Sequence, residues 1–275
     1  MITIIFGPPR IGKTCFLAHI LNCYAYDTER YLNMANEISL LNEGGFNLTI
    51  PPHPVSANFS LEFYKFGFSA MRNRMINPFR LGFSNPDVEV HNNYPYEVIG
   101  IMEAQVYLNS RMSAYFPDWQ SRWYEQHGHN NLDIFLDCQR PDLIDLNVRE
   151  LCSFIEIMDL KIKTNRFGEV LGLCWTIRKI DNFSAYEKYV ASGKKDKSLY
   201  TEEKVKADYN VFSIYDSQAE KPKFFKNLFD SDFKIDYSEP AETTLEYYKY
   251  FVENLSDEVP PGFYKKRSDK IATKL

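Results

Sequence analysis

Residues 1–21 read MITIIFGPPRIGKTCFLAHIL, and how this stretch is read decides the fold. Residues 2–6 are a continuous apolar, β-branched run, the pattern of a strand buried on both faces. From Lys13 the pattern turns helical, with Phe16, Leu17, Ile20 and Leu21 spaced to share one face. Between them, residues 7–14 (GPPRIGKT) fit the phosphate-loop pattern GxxxxGK[ST]. Gly7 and Gly12 let backbone N–H groups turn inward without a Cβ in the way, and the helix that follows aims its positive dipole end at the same place. Pro8, Pro9, Arg10 and Ile11 form the span of the loop, and Cys15 continues its first helical turn. Lys13 is expected to reach the β- and γ-phosphates of ATP, and Thr14 to place its hydroxyl on Mg²⁺. Such a match arises by chance about once in a hundred chains of this length. The flanking strand and helix make it rarer still.

The 275 residues are 25% charged and 44% hydrophobic, the balance of a globular chain able to bury a sizeable core. A formal net charge of −5 argues against a broad electrostatic grip on nucleic acid, while allowing a local basic patch. The five cysteines are odd in number and form no CxxC pair, which suggests buried thiols in a reducing compartment. No apolar run reaches the roughly 18 residues that span a bilayer, and no signal peptide precedes the first strand. The expected location is cytoplasmic.

Asp27 is positioned to cap a second helix reaching about residue 42, with Gly44 and Gly45 as its stop. Residues 46–95 are broken by prolines and read as a second strand near 53–59, a helix near 61–75, and an insertion over about 60–95. Two apolar runs follow, at 98–102 and 132–137, separated by an aromatic helical segment. Strands alternating with helices indicate a mostly parallel α/β sheet. Residues 154–163 and 169–180 read as a hairpin, 209–215 as a further strand, and 243–254 as a helix. The expected organisation is one P-loop domain over 1–237, with a helical and charged tail over 238–275.

Hydrolysis needs a carboxylate to help hold Mg²⁺ and another to polarise water. In EVIGIMEAQVYL, Glu103 follows the strand where the water-activating carboxylate belongs. The metal-binding position before it is Met102, whose thioether is a poor ligand for a hard cation. The next strand, DIFLDCQ, brings Asp137 and Gln139 to its C-terminal tip. Asp137 either supplies the missing charge, directly or through water, or caps a neighbouring loop.

Five segments, FGPPRIGKT, HPVSANF, VIGIMEAQVYLNSR, EQHGHNNLDIFLDCQRPDLIDLNVREL and YNVFSIYDSQ, resemble in order the zonula occludens toxin N-terminal domain family, which includes the assembly ATPases of filamentous phages. The resemblance spans roughly residues 1–218 and is most specific between His127 and Leu151. It implies a RecA-like core of the FtsK/HerA type and an ATPase acting as a homo-oligomeric ring. It further implies that ATP hydrolysis drives single-stranded phage DNA through the bacterial inner membrane as the coat is acquired. By the same resemblance Gly7, Gly12, Lys13 and Thr14 form the Walker A motif, Glu103 is the Walker B glutamate, and Gln139 is a polar sensor. Arg149, or else Arg140, is implied to touch a neighbouring subunit's nucleotide. Phage membrane or coat proteins are the implied partners, at the cytoplasmic face of that membrane. The family pattern has an acidic pair where this chain has Met102-Glu103. Family members that assemble phage usually carry a membrane-spanning helix after the ATPase domain, and this chain shows none. Two other readings stay open: a nucleotide-gated assembly factor with weak or no hydrolysis, and a DNA translocase or packaging ATPase.

His127, His129 and Asp133 lack a fourth ligand at metal-binding spacing and are expected to cap and hydrogen-bond. Tyr115, Trp119, Trp123 and Tyr124 suit core or subunit packing, with base stacking as the alternative. Lys194–197, with Arg178 and Lys179 nearby, reads as a solvated loop, or else a contact to DNA or anionic lipid.

Overall fold

The computed structural model describes residues 1–45, 48, 50–63, 71–76, 78, 81, 94–111, 118–208 and 211–215. The opening strand is β1 (Ile2–Phe6), buried throughout. It feeds α1 (Lys13–Ala25), whose residues from Phe16 onward are all buried, so this helix lies inside the domain. Next comes α2 (Thr28–Glu43), which starts where the Asp27 side chain accepts from Arg30 N at 3.0 Å. The strands β2 (Val55–Ala57), β3 (Glu62–Phe63), β4 (Met71–Arg72), β5 (Arg74–Met75) and β6 (Val98–Ile101) follow. Then come α3 (Asp118–Glu125), β7 (Asp133–Cys138), α4 (Leu146–Arg149) and the long pair β8 (Cys152–Thr164) and β9 (Val170–Ile180). The described chain ends with α5 (Phe183–Ala191), β10 (Thr201–Asp208) and the single turn α6 (Val211–Ile214).

Eight strands form one sheet in the order β10-β9-β8-β1-β7-β6-β2-β5. From β8 to β5 every pairing is parallel, and β8-β9-β10 continue antiparallel. Strand β7 lies between β1 and β6, so the ends of β1 and of both candidate carboxylate strands meet at one edge. One core, containing Ile5, Leu17, Leu21, Phe135, Ile155 and Trp175, packs α1 against one face of the sheet. The other, containing Ile4, Phe6, Leu136, Phe154, Tyr124 and Tyr189, packs α3 and α5 against the opposite face. No helix among the described residues is long and apolar enough to cross a membrane.

Two local expectations are corrected. Residues 61–75 do not form one helix: β3 pairs antiparallel with β4, and β5 joins the main sheet beside β2. Phe59, Leu61 and Phe63 are buried at every second position, the period of an extended chain, and the Asn73 side chain stitches the backbone of Phe59 and Leu61. The strand expected at 209–215 lies earlier, at Thr201–Asp208, followed by the helical turn Val211–Ile214. As an edge strand, β10 needs an apolar side only toward α1, which Val205 and Ala207 supply. The expected tail helix and the boundary at 237/238 lie outside the described residues.

Candidate functional site

The loop over residues 7–14 leaves the C-terminal end of β1 and turns directly into α1. Gly12 sits in the left-handed region at φ +81°, where a Cβ would stand 2.8 Å from Leu160 Cδ2 and 3.3 Å from Trp175 Nε1. A Cβ on Gly7 would stand 2.8 Å from the Ile157 carbonyl oxygen. The β8-β9 hairpin therefore backs both glycines: at Gly7 the obstacle is a backbone carbonyl, and at Gly12 the left-handed conformation itself disfavours a side chain. The N-cap is Gly12, which has no side chain to cap the first turn, and no acidic residue lies in that turn. A helix start with its N–H groups left uncapped and a positive dipole end is a ready anion site. The Lys13 ammonium donates to the Pro8 carbonyl at 3.2 Å, folding across the mouth of the loop. Arg10, at φ 64°, is exposed.

Directly beneath the helix start, Thr14 Oγ1 donates to Asp137 Oδ2 at 2.8 Å. The contact follows from register: Asp137 pairs with Ile5 and lies on the α1 face of the sheet, where it is only 2% exposed. Its charge is felt locally. Burial pushes the neighbouring Cys138 thiol well up, Asp137 raises it further, and Lys13 opposes this. Burial likewise pushes the Cys15 thiol up to about 11, so it stays protonated beside the site. A hydroxyl and a carboxylate are hard oxygen donors, the kind a Mg²⁺ ion takes. Among the described residues, no group of three or more His, Cys, Asp or Glu forms a metal cluster. Any cation here would complete its shell from phosphate and water.

Met102, by contrast, is a core residue, 4% exposed and packed in the same cluster as Phe16, Leu17 and Phe59. Its backbone is clamped from both sides by one residue: Asn58 Nδ2 donates to the Met102 carbonyl at 3.0 Å, and Met102 N donates to Asn58 Oδ1 at 2.7 Å. The Tyr215 hydroxyl approaches its sulfur at 3.6 Å. Asn58 is a site residue that sequence reasoning passed over, although it lies within the HPVSANF segment. Glu103 follows in left-handed geometry at φ 53°, ψ 45°, and its carboxylate accepts from the Gln105 amide. Ile101 pairs with Leu136, which pairs with Ile4, so the next residues, Met102 and Glu103, reach the P-loop edge.

Gln139 and Arg140 follow β7 at that same edge, both exposed, with Arg140 making a 3.5 Å contact to Asp142. Arg149 is elsewhere. It ends α4 three residues before Cys152, which pairs with Ile2 at the opposite end of β1, and its guanidinium lies over Phe183 at 5.7 Å. His127 Nδ1 is 2.6 Å from the Tyr124 carbonyl in a short helical turn that ends with Asn130, and burial lowers the pKa of this imidazole. Trp123 and Tyr124 are buried in the core. The Tyr115 and Trp119 side chains lie outside the described residues. Arg178 bonds the Tyr189 hydroxyl and Lys179 pairs with Glu203 at 3.0 Å, while Lys194 pairs with the buried Glu156.

No family model and no curated protein matches the chain. Solved structures do match, two of them as follows. The N-terminal domain of zonular occludens toxin from Neisseria meningitidis is 18% identical with a TM-score of 0.45, covering 78% of this chain and 98% of that one. The genome packaging NTPase B204 from Sulfolobus turreted icosahedral virus 2, in complex with ATP-gammaS, is 10% identical with a TM-score of 0.33, covering 74% and 95%. The chain's own architecture is a mixed α/β one, a mostly parallel central sheet flanked by helices and continued by antiparallel strands.

Proposed function

We propose that residues 7–15 bind Mg-ATP and that the chain hydrolyses it, with Asp137 replacing the acidic residue absent at Met102. The observation that carries this reading is the 2.8 Å bond from Thr14 to Asp137 beneath the open helix start. When bound, Mg²⁺ would neutralise charge on the β- and γ-phosphates. Thr14 and Asp137 orient the site, the backbone N–H groups and Lys13 hold the phosphates, and Glu103 accepts the proton of the attacking water. Gln139 presents its amide beside them as the polar sensor. Arg149, or else Arg140, is the arginine for a neighbouring subunit's nucleotide; Arg140 stands at the P-loop edge of its own subunit and Arg149 at the opposite end of the sheet, from which a neighbour in a ring can be reached.

The ordered resemblance of five sequence segments supports a narrower role. This is a homo-oligomeric, ring-forming motor for assembly and extrusion of filamentous phage, with single-stranded DNA as cargo and phage membrane or coat proteins as partners at the cytoplasmic face of the bacterial inner membrane. The burial of Met102 favours a second reading, a nucleotide-gated assembly factor that hydrolyses slowly or not at all. Steady-state phosphate release by the wild type, Glu103→Gln and Lys13→Ala separates the two. Release that both substitutions abolish supports the motor. Tight ATP binding with no release above the Glu103→Gln background supports the gated factor.

A further inference from the structure

Met158, Ile162, Phe167, Val170 and Leu171 are all more than a third exposed, and all five belong to the outer half of the β8-β9 hairpin. Phe167 stands at the tip with 73% of its surface exposed. Large apolar side chains scattered singly need no explanation, but five along one hairpin are a concentration that does. Leu171 is the extra residue at the irregularity between the Lys163–Gly172 and Thr164–Val170 pairs, and it is more than half exposed.

The opposite surface of the same three strands has an excess of lysine: by register it carries Lys161, Lys163, Lys204 and Lys206, against Asp159, Asp208 and the Arg178-paired Glu202. Alternation along β8 puts Lys161 and Lys163 on the face away from Ile162. Register places Lys206 in one row with Cys174 and Lys161, and Lys204 in the next row with Thr176 and Asp159. Lys161 meets Asp159 only at 3.9 Å, and no described carboxylate lies within ion-pair distance of Lys163, Lys204 or Lys206. At the tip, the Arg166 guanidinium sits over the Phe167 ring at 4.7 Å, pairing a cation with an apolar body. On a chain of net charge −5 this is a local reversal of sign.

We propose that the outer β8-β9 hairpin, with β10 beside it, docks on an anionic lipid bilayer, inserting Phe167 at the headgroup boundary while the lysines meet lipid phosphate. One apolar and one lysine-rich surface on a single element is the composition of an interfacial anchor. Charge complementarity to the negative membrane surface supplies the attraction, and long lysine side chains snorkel to it. A nucleic acid would use the lysines and could stack on Phe167, but would leave exposed Met158, Ile162, Val170 and Leu171 without a role.

The test is sedimentation of the full chain with vesicles of phosphatidylcholine and phosphatidylglycerol in equal parts, against phosphatidylcholine alone. The chain should bind the mixed vesicles and release as salt rises. Phe167→Ser should weaken this about tenfold or more. Each of Lys161→Glu and Lys163→Glu should weaken it about fivefold or more. Phe167→Trp should shift its emission to the blue on binding. Thermal unfolding of each variant confirms the fold. No binding to the mixed vesicles, or binding that Phe167→Ser leaves unchanged, overturns the proposal. So does binding of a single-stranded oligonucleotide, lost in the lysine variants, when the vesicles do not bind.

Discussion

The Thr14 hydroxyl and the Asp137 carboxylate, 123 residues apart in the chain, are joined by a hydrogen bond of 2.8 Å. Parallel pairing of β1 with β7 makes the contact: Asp137 stands beside Ile5, just before the chain turns out of the sheet into the phosphate loop. The position that would ordinarily carry the metal-binding carboxylate, Met102, is turned into the core one strand further away.

Met102→Asp should therefore harm the protein and not improve it. The new carboxylate would lie among Phe16, Leu17 and Phe59. An unpaired buried charge costs on the order of 3–5 kcal/mol, or the group stays protonated. Urea unfolding should show the loss, and phosphate release should not rise above wild type. A stable variant with faster release would show that the Met102 side chain can reach the metal.

Asn58→Ala should cost about 2–4 kcal/mol, because it strands both the N–H and the carbonyl of Met102 in a buried setting. The same change frees the backbone that fixes Glu103. Turnover should thus fall with little change in ATP affinity. Equal losses in turnover and affinity would mean that Asn58 supports the phosphate loop instead.

Gly100, in β6, lets α1 approach the sheet: a Cβ there would stand 2.4 Å from Leu21 Cδ1. Gly100→Ala should destabilise the fold by about 1–3 kcal/mol. Leu21→Ala alone should cost about 2–5 kcal/mol. Combined, the two should cost clearly less than their sum, since each relieves the other. Additive losses in a double-mutant cycle would place the strain elsewhere.

Cys15 gives a pH signature. Burial raises its thiol from 9.0 to about 11, so between those values the unfolded chain loses this proton while the folded chain keeps it. Its contribution to stability is complete below pH 9 and is lost as pH climbs toward 11. Denaturant midpoints followed across that window should fall more steeply for the wild type than for Cys15→Ser. Parallel curves would contradict the assignment.

Much of this was legible in the sequence because the features are local or periodic. The β1–loop–α1 unit, the Asp27 cap, the runs that became β6 and β7, and the β8-β9 hairpin all follow from short-range pattern. Placing Asp137 beside the end of β1 needed only a strand order that puts β7 between β1 and β6. Three things were hidden for physical reasons. Strand β10 (TEEKVKAD) is an edge strand with one solvated side, so its charges masked it. Phe59, Leu61 and Phe63 alternate, but nearby prolines and aromatics obscured the period. The location of Arg149 depends on how the crossover from β7 to β8 returns to the far end of the sheet, which no local signal records.

The most direct test of the central claim is a Mg²⁺ titration of ATP binding and phosphate release in the wild type and in Asp137→Ala. If Asp137 does the work of the missing acidic residue, the variant should need about 10–100 times more Mg²⁺ for half-maximal release, with its affinity for metal-free ATP unchanged. An unchanged Mg²⁺ requirement would contradict the account and reduce the bond between Thr14 and Asp137 to a structural cap.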